Sequence, residues 1–476
     1  MDALVVGGGV AGLVAARELA MRGVRPLVLE AWAAPGGAVG RHTVAGLVLD
    51  AGADSFATRG GIVAALATEL GLGQAITAPS GAGAWVQLPT GAGTLPRTGL
   101  LGIPAHPWAP DVRRTIGLLG ALRASADRWL PAARGTIRRD GAPASLGALV
   151  ATRMGRRVLD RLVTPVISGV HAADPSDLAV DAVAPGLHAE LIARGSLGAA
   201  VVAMRALAPA GSAVAGLTGG MHTLVDALAA DILAHGGRIE TGARVVAIER
   251  SAPGGWTVRV AGNPGAADRI VSTPRLMLAL PGPVAADLLA PHVPGLATAP
   301  PQPGADVVLA TLVLDAPALD AAPRGTGVLV APGTRGVRAK ALTHATAKWA
   351  WLASAAGPGR HVLRLSYGQA PTATRSATDI AGLTLAELTT VALRDAQTLL
   401  GVRLDSSQVV QSARVRWSQS LPKPSPAQHA TVAAARAGVA ALPDLDVCGA
   451  WVAGNGLAAV VADARAAGAR LADGRG

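Results

Sequence analysis

The sequence predicts an α/β protein in three parts: a Rossmann-like dinucleotide-binding domain, a mixed-sheet second domain and a mainly helical lobe. Three observations carry this. The chain opens on a strand–turn–helix–strand pattern, ALVV, GGGVAG, LVAARELAM and VRPLVLE, with the glycines in the turn. From Trp108 to Arg157 strand periodicity gives way to Leu, Ala and Arg at helical spacing. From about 285 to 425 alternation returns, as in Val307 to Leu314 and Val362 to Tyr367.

Taken in order, Ala3 to Val6 read as a short buried strand, Leu13 to Met21 continue as a helix that Gly23 ends, and Val24 to Glu30 form the second strand. The helical lobe is bounded by Pro104, Pro107 and Pro110 on one side and Pro209 on the other. After the Gly219-Gly220 turn, Met221 to His235 read as an amphipathic helix, followed by strands at Arg244 to Glu249, Trp256 to Val260 and Asp268 to Thr273. A last strand and helix follow Leu445. No fixed-period repeat is visible.

Composition narrows the function classes. The 476 residues carry 42 Lys plus Arg against 31 Asp plus Glu, a balance of +11 supplied almost wholly by Arg, since Lys340, Lys348 and Lys423 are the only lysines. Anionic partners follow from that sign. Only Phe56, Tyr367 and nine Trp are aromatic, too few for a stacking platform, so nucleic acid is not expected as a partner. Cys448 is the single cysteine, which rules out an internal disulfide and a Cys-based zinc cluster, and points to the cytoplasm. The amino terminus lacks a basic leader, and its glycines interrupt the apolar run of a signal peptide. The apolar stretch from Gly195 to Leu217 is broken by Arg205 and Pro209, so no transmembrane segment is read there. No metal site is expected, and neither a Ser/His/Asp hydrolytic spacing nor HExxH is present.

Two glycine motifs carry the chemistry. Gly7, Gly9 and Gly12 form GxGxxG, with Gly8 between them: the tight turn, the backbone approach to a pyrophosphate and the close helix packing each need the missing side chain. The helix amino terminus then faces the phosphates. Glu30, 18 residues past Gly12 at the end of the second strand, is placed to accept ribose hydroxyls. The bland alternative is an ordinary glycine-rich turn, but strand, helix and acid are all in register. Next come Gly36, Gly37, Gly40 and Arg41 in PGGAVGR, then Asp50 and Gly52 in LVLDAGADSF. Standing alone they would make a surface loop with a solvated Arg. Following Glu30 so closely they suit a longer dinucleotide, FAD, with Arg41 as a cation near its pyrophosphate.

With these motifs the chain resembles the flavin-dependent amine oxidase superfamily and, within it, the protoporphyrinogen and coproporphyrinogen oxidases. The narrower resemblance rests on VISGVHAADPSDLAVDAVAPGL from Val166, KALTHATAKW from Lys340, HVLRLSYG from His361, VRWSQSLPK from Val415 and GAWVAGNGLAAVV from Gly449. It implies an amine-oxidase-like fold in which residues 1–75, 211–284 and 431–476 build the FAD-binding domain, 76–104 and 285–430 the substrate domain, and 105–210 the lobe. It implies noncovalent FAD held by Gly7, Gly8, Gly9, Val10, Ala11, Gly12, Glu30, Gly36, Gly37, Gly40, Arg41, Val245, Gly454, Gly456 and Leu457. Gly169 matches a glycine whose carbonyl faces a pyrrole NH, Arg59 falls near a basic pocket position, and His171 is a substrate-contact candidate two residues from Gly169. The chain departs from the family pattern at His171, at Trp451 to Asn455 and at Gln428-His429.

The activity so implied is oxygen-dependent oxidation of coproporphyrinogen III to coproporphyrin III in haem biosynthesis: six electrons leave in three two-electron steps and peroxide is formed. Alternatives are protoporphyrinogen IX oxidation, oxidation of an amine or a carotenoid precursor, and a binding protein of this fold without its flavin. Scarce aromatics count against an amine cage, and the intact Glu30 and glycine loops against loss of flavin. The Arg-rich stretch 113 to 139 beside Trp108 and Trp129 reads either as a solvated face or as a peripheral contact with an anionic membrane, here the inner face of the cell membrane. Cys448 is read as a small core residue rather than a flavin thioether.

Overall fold

The computed structural model describes the chain except residues 97–98, 138–140, 142, 172, 207–213, 253, 263–265, 369–377, 419–424, 443 and 475–476. Arg138, Arg139, Pro209 and Lys423 lie outside the described residues, as does the side chain of His171.

Five short apolar runs make a parallel sheet in the order Arg238–Glu240, Pro26–Leu29, Ala3–Val6, Leu276–Leu278, Leu445–Val447. All but the edge strand Arg238–Glu240 are buried at every residue, as strands covered on both faces must be. Helices Val10–Met21, His222–Ala234 and Leu457–Asp473 cover one face through Leu13, Leu19, Leu224, Leu228 and Val461. The three-stranded sheet Val245–Arg250, Trp256–Val260, Arg269–Thr273 and helices Gly282–Leu289 and Pro426–Ala440 cover the other. The second strand begins at Pro26 rather than Val24, because the Val24 amide still closes the preceding helix on Leu19 O, with Gly23 at φ +78°.

A seven-stranded mixed sheet runs Val409–Trp417, Val307–Asp315, Arg360–Tyr367, Ala341–His344, Gly327–Val330, Trp85–Leu88, Gly91–Thr94. Helix Leu385–Leu400, started by a Thr384/Glu387 capping box, packs Leu388, Ala392 and Leu399 on one of its faces. The other face turns towards the first domain, where Val44 and Leu49 of the hairpin Arg41–Val44/Leu47–Asp50 pack on Val313 and Val362.

The helices between Pro110–Ser125 and Leu197–Ala206 have a core of their own, with Ile116, Leu146, Leu149, Leu162, Leu187 and Leu197. Arg153, fully buried, ties it together: Nε donates to Asp127 Oδ1 at 2.5 Å, and Nη2 to the Asp127 and Gly195 carbonyls at 3.0 and 2.9 Å. The first of these helices breaks at Gly117 (φ 75°, ψ 171°), and the break turns Leu118, Leu119 and Leu122 out to solvent. Arg113, Arg114, Arg128 and Arg134 are exposed as well, whereas Arg123 donates to the Thr152 and Arg153 carbonyls. Among the described residues no single helix is long and apolar enough to cross a membrane.

Candidate cofactor and substrate site

The opening turn is glycine for two different reasons. A Cβ on Gly7 (φ +105°) would lie 2.3 Å from Ala279 O, and one on Gly12 1.9 Å from Gly7 O, so both are fixed by backbone packing. A Cβ on Gly9 would meet nothing within 4 Å: the space in front of helix Val10–Met21 is open. Glu30 is buried behind the turn, accepting from Gly8 N at 2.7 Å and Trp32 N at 2.9 Å.

The other predicted cofactor residues converge on this turn. Gly36 N donates to Gly8 O at 2.8 Å, and a Cβ on Gly37 would sit 3.3 Å from Gly9 Cα, so the two glycine loops form one cradle. The strand that begins at Val245 is held by Ala243 N donating to Glu30 O at 2.8 Å and Gly242 N to Trp32 O at 2.9 Å. At the opposite end Gly449 approaches Ala11, and Gly454 (φ +91°) and Gly456 (φ +102°) carry an open bend into Leu457, the first residue of the last helix. Arg41 is exposed and paired with Asp226 at 2.8 Å. Cys448 is buried with Sγ 3.7 Å from Ala11 O, and burial together with Asp463 and Asp446 pushes its thiol up, away from the reactive range.

Of the residues expected at the substrate, Gly169 lies in the short helix Thr164–His171, where a Cβ would come within 2.6 Å of Leu329 Cδ2 on the mixed sheet. Arg59 is exposed in the turn between Phe56–Ala57 and Ile62–Glu69.

The sequence reading missed an ion cluster joining the two domains. Residues 50–55 run against the second glycine loop, with Ala51 N on Gly40 O and Ala53 N on Ala38 O, both 2.8 Å. They deliver Asp54 to Lys348, whose Nζ donates to its two oxygens at 3.1 and 3.0 Å, and to Arg364, 3.6 Å away. Burial alone would raise the Asp54 carboxyl, but Lys348 and Arg364 hold it far below the ordinary carboxylate range. Asp50 faces the other way, accepting from Met221 N and His222 N at 3.0 and 3.1 Å, with His222 Nδ1 at 3.2 Å. Both acids stand in LVLDAGADSF and Lys348 in KALTHATAKW, but their pairing spans 294 positions and has no local signature.

The family model of flavin-containing amine oxidoreductases matches residues 10–474. The coproporphyrinogen III oxidase of Mycobacterium bovis is 31% identical over 469 residues, covering 96% of this chain and 94% of that protein. That of Mycobacterium leprae is 29% identical over 472 residues, covering 97% and 96%. Among solved structures, a protein of Exiguobacterium sp. 255-15 provisionally named protoporphyrinogen oxidase superposes with a TM-score of 0.81 at 23% identity, over 99% of this chain and 98% of that one. Cyclohexylamine oxidase from Brevibacterium oxydans gives 0.62 at 17%, over 99% and 98%. At these identities the structural likeness establishes the fold.

Proposed function

Because the chain belongs to the flavin-containing amine oxidoreductases, and within them to the FAD-dependent porphyrinogen oxidases, we propose that it oxidises coproporphyrinogen III to coproporphyrin III with molecular oxygen as acceptor. The observation that carries the reading is the near full-length relation to coproporphyrinogen III oxidases, on a chain whose glycine cradle is intact. The residues fit FAD: open space before a helix amino terminus at Gly9, a buried carboxylate at Glu30 and a second glycine loop against the first are what a flavin dinucleotide needs. Gly7 to Gly12, Glu30, Gly36, Gly37, Gly40, Arg41, Val245, Gly454, Gly456 and Leu457 would hold it. Bound there, FAD supplies the electron-accepting chemistry. The buried, unreactive Cys448 supports a noncovalent attachment.

The chain's own part is to bind and orient. The Gly169 carbonyl orients a pyrrole NH, and Arg59 and His171 meet the periphery of the macrocycle. Tyr367 and Phe56 are both buried in hydrophobic cores and so are withdrawn from any aromatic cage. We further propose that the protein works in the cytoplasm and that the exposed Leu118, Leu119, Trp129 and neighbouring arginines rest on an anionic membrane surface. The test of the activity is aerobic turnover of coproporphyrinogen III and protoporphyrinogen IX, followed by porphyrin fluorescence and peroxide release. The expected result is porphyrin formation from both with higher kcat/KM for the tetracarboxylate. A clear preference for protoporphyrinogen would reassign the substrate, and no porphyrin from either would overturn the reading.

A further inference from the structure

We infer that Arg364 is a carboxylate-binding residue for the substrate, an inference that rests on the porphyrinogen reading and names where one propionate is held. Strand register places it. Arg364 lies directly opposite Thr311 on one neighbouring strand and Thr343 on the other, so the three side chains share a face of the mixed sheet. Beside this polar row on the same face runs Leu309, Ser366, Ala341 and Leu329, and Leu329 is the residue that packs on Gly169. On its other side Arg364 meets residues 50–54, which rest on the glycine loop Gly37–Gly40. Arg364 therefore stands between the cofactor cradle and the row beneath Gly169.

Its charge is unbalanced there. Lys348 takes both oxygens of Asp54, while among the described residues Arg364 reaches one of them at 3.6 Å and the Asp50 carbonyl at 3.3 Å. Two cations thus share one carboxylate, because the Asp50 carboxylate is engaged by Met221 N, His222 N and the His222 ring. The Arg364 side chain is only 17% exposed, so water does not fully solvate it, and among the described residues its one hydrogen bond, to the Asp50 carbonyl, leaves further N–H donors for a planar, bidentate acceptor. Beside it in the row, the Thr311 hydroxyl is buried without a hydrogen-bond partner among the described residues. A carboxylate entering along the polar row would balance the cluster. Arg59, exposed and already solvated, gains less from the same anion.

The experiment measures binding of coproporphyrin III by fluorescence, and turnover of coproporphyrinogen III, for Arg364→Gln, Arg364→Lys and Asp54→Asn, with flavin content and Tm recorded for each. Removing a partly buried charge-assisted contact should weaken coproporphyrin affinity and raise KM by about tenfold or more in Arg364→Gln. Arg364→Lys, which keeps the charge without the fork, should lose less and serves if the first variant does not fold. Asp54→Asn removes the anion instead of a cation, so its porphyrin affinity should hold or tighten. Arg364→Gln and Arg364→Lys binding like the parent, or Asp54→Asn losing affinity as Arg364→Gln does, would make Arg364 a structural latch and overturn the inference. Failure of the parent protein to turn over any porphyrinogen would count against the functional reading itself.

Discussion

Gly9 and Gly12 lie three residues apart in one turn and carry opposite expectations. A methyl at Gly12 would press on the Gly7 carbonyl at 1.9 Å, a backbone atom that cannot yield, so Gly12→Ala should destabilise the fold by about 3 kcal/mol or more. Gly9 is extended (φ −70°) with open space above it, so Gly9→Val should fold. It should purify colourless, since the isopropyl group occupies the volume before the helix amino terminus. Absorbance and thermal melting of the two variants check this, and a yellow Gly9→Val protein would refute it. His344 gives a pH dependence. It is buried with Nε2 3.0 Å from His361 Nδ1, while His361 Nε2 is 3.0 Å from Asp320, and burial plus the His361 charge push its pKa down to about 4. Between the ordinary value near 6.5 and 4 the unfolded chain takes up a proton that the folded one refuses. Stability is therefore full above about pH 6.5 and is lost as pH falls towards 4, by at most about 3 kcal/mol. Melts from pH 7.5 to 4.5 should show that fall, and His344→Gln should flatten it; equal slopes would exclude His344 as the cause. The turn glycines are legible in the sequence because their constraint is local. Arg364, Lys348 and Asp54 are not, because their meeting depends on a sheet and a loop contributed by distant segments.

At the scale of elements, apolar runs, terminators and capping residues locate strands and helices well where burial is two-sided or a glycine ends the helix, as at Ala3–Val6 and Gly23. The lobe is harder. Its helical character shows in the spacing, but the break at Gly117 does not, and it is this break that exposes Leu118 and Leu119 at 61% and 68% beside Arg113 and Arg114. If that tip meets an anionic bilayer, sedimentation with anionic vesicles should be strong at low salt and weak at high salt. Arg113→Gln with Arg114→Gln should weaken it by about thirtyfold, at about 1 kcal/mol for each Arg near the surface. Equal recovery in the supernatant with and without vesicles at low salt would remove the membrane contact and leave the oxidase untouched. Arg123 is no part of this surface, since its guanidinium already serves two carbonyls.

For the whole molecule, the +11 balance and the FAD-binding architecture suit the proposed function, in which a basic chain brings an anionic substrate to a flavin. The cradle joins Gly7–Gly12 to Gly36–Gly40, residues 50–54 rest on that cradle, and Asp54 with Lys348 ties it to the mixed sheet, so the cradle and that sheet share one charged seam. With no reactive cysteine beside the cradle, acid or heat should release all of the flavin into solution, and flavin left on the precipitated polypeptide would contradict a noncovalent attachment. The most direct test is anaerobic mixing of the purified yellow protein with coproporphyrinogen III. Bleaching of the flavin band together with appearance of porphyrin fluorescence, and return of the yellow colour on admitting air, is the predicted result; a flavin that coproporphyrinogen III leaves oxidised but an amine reduces would contradict it.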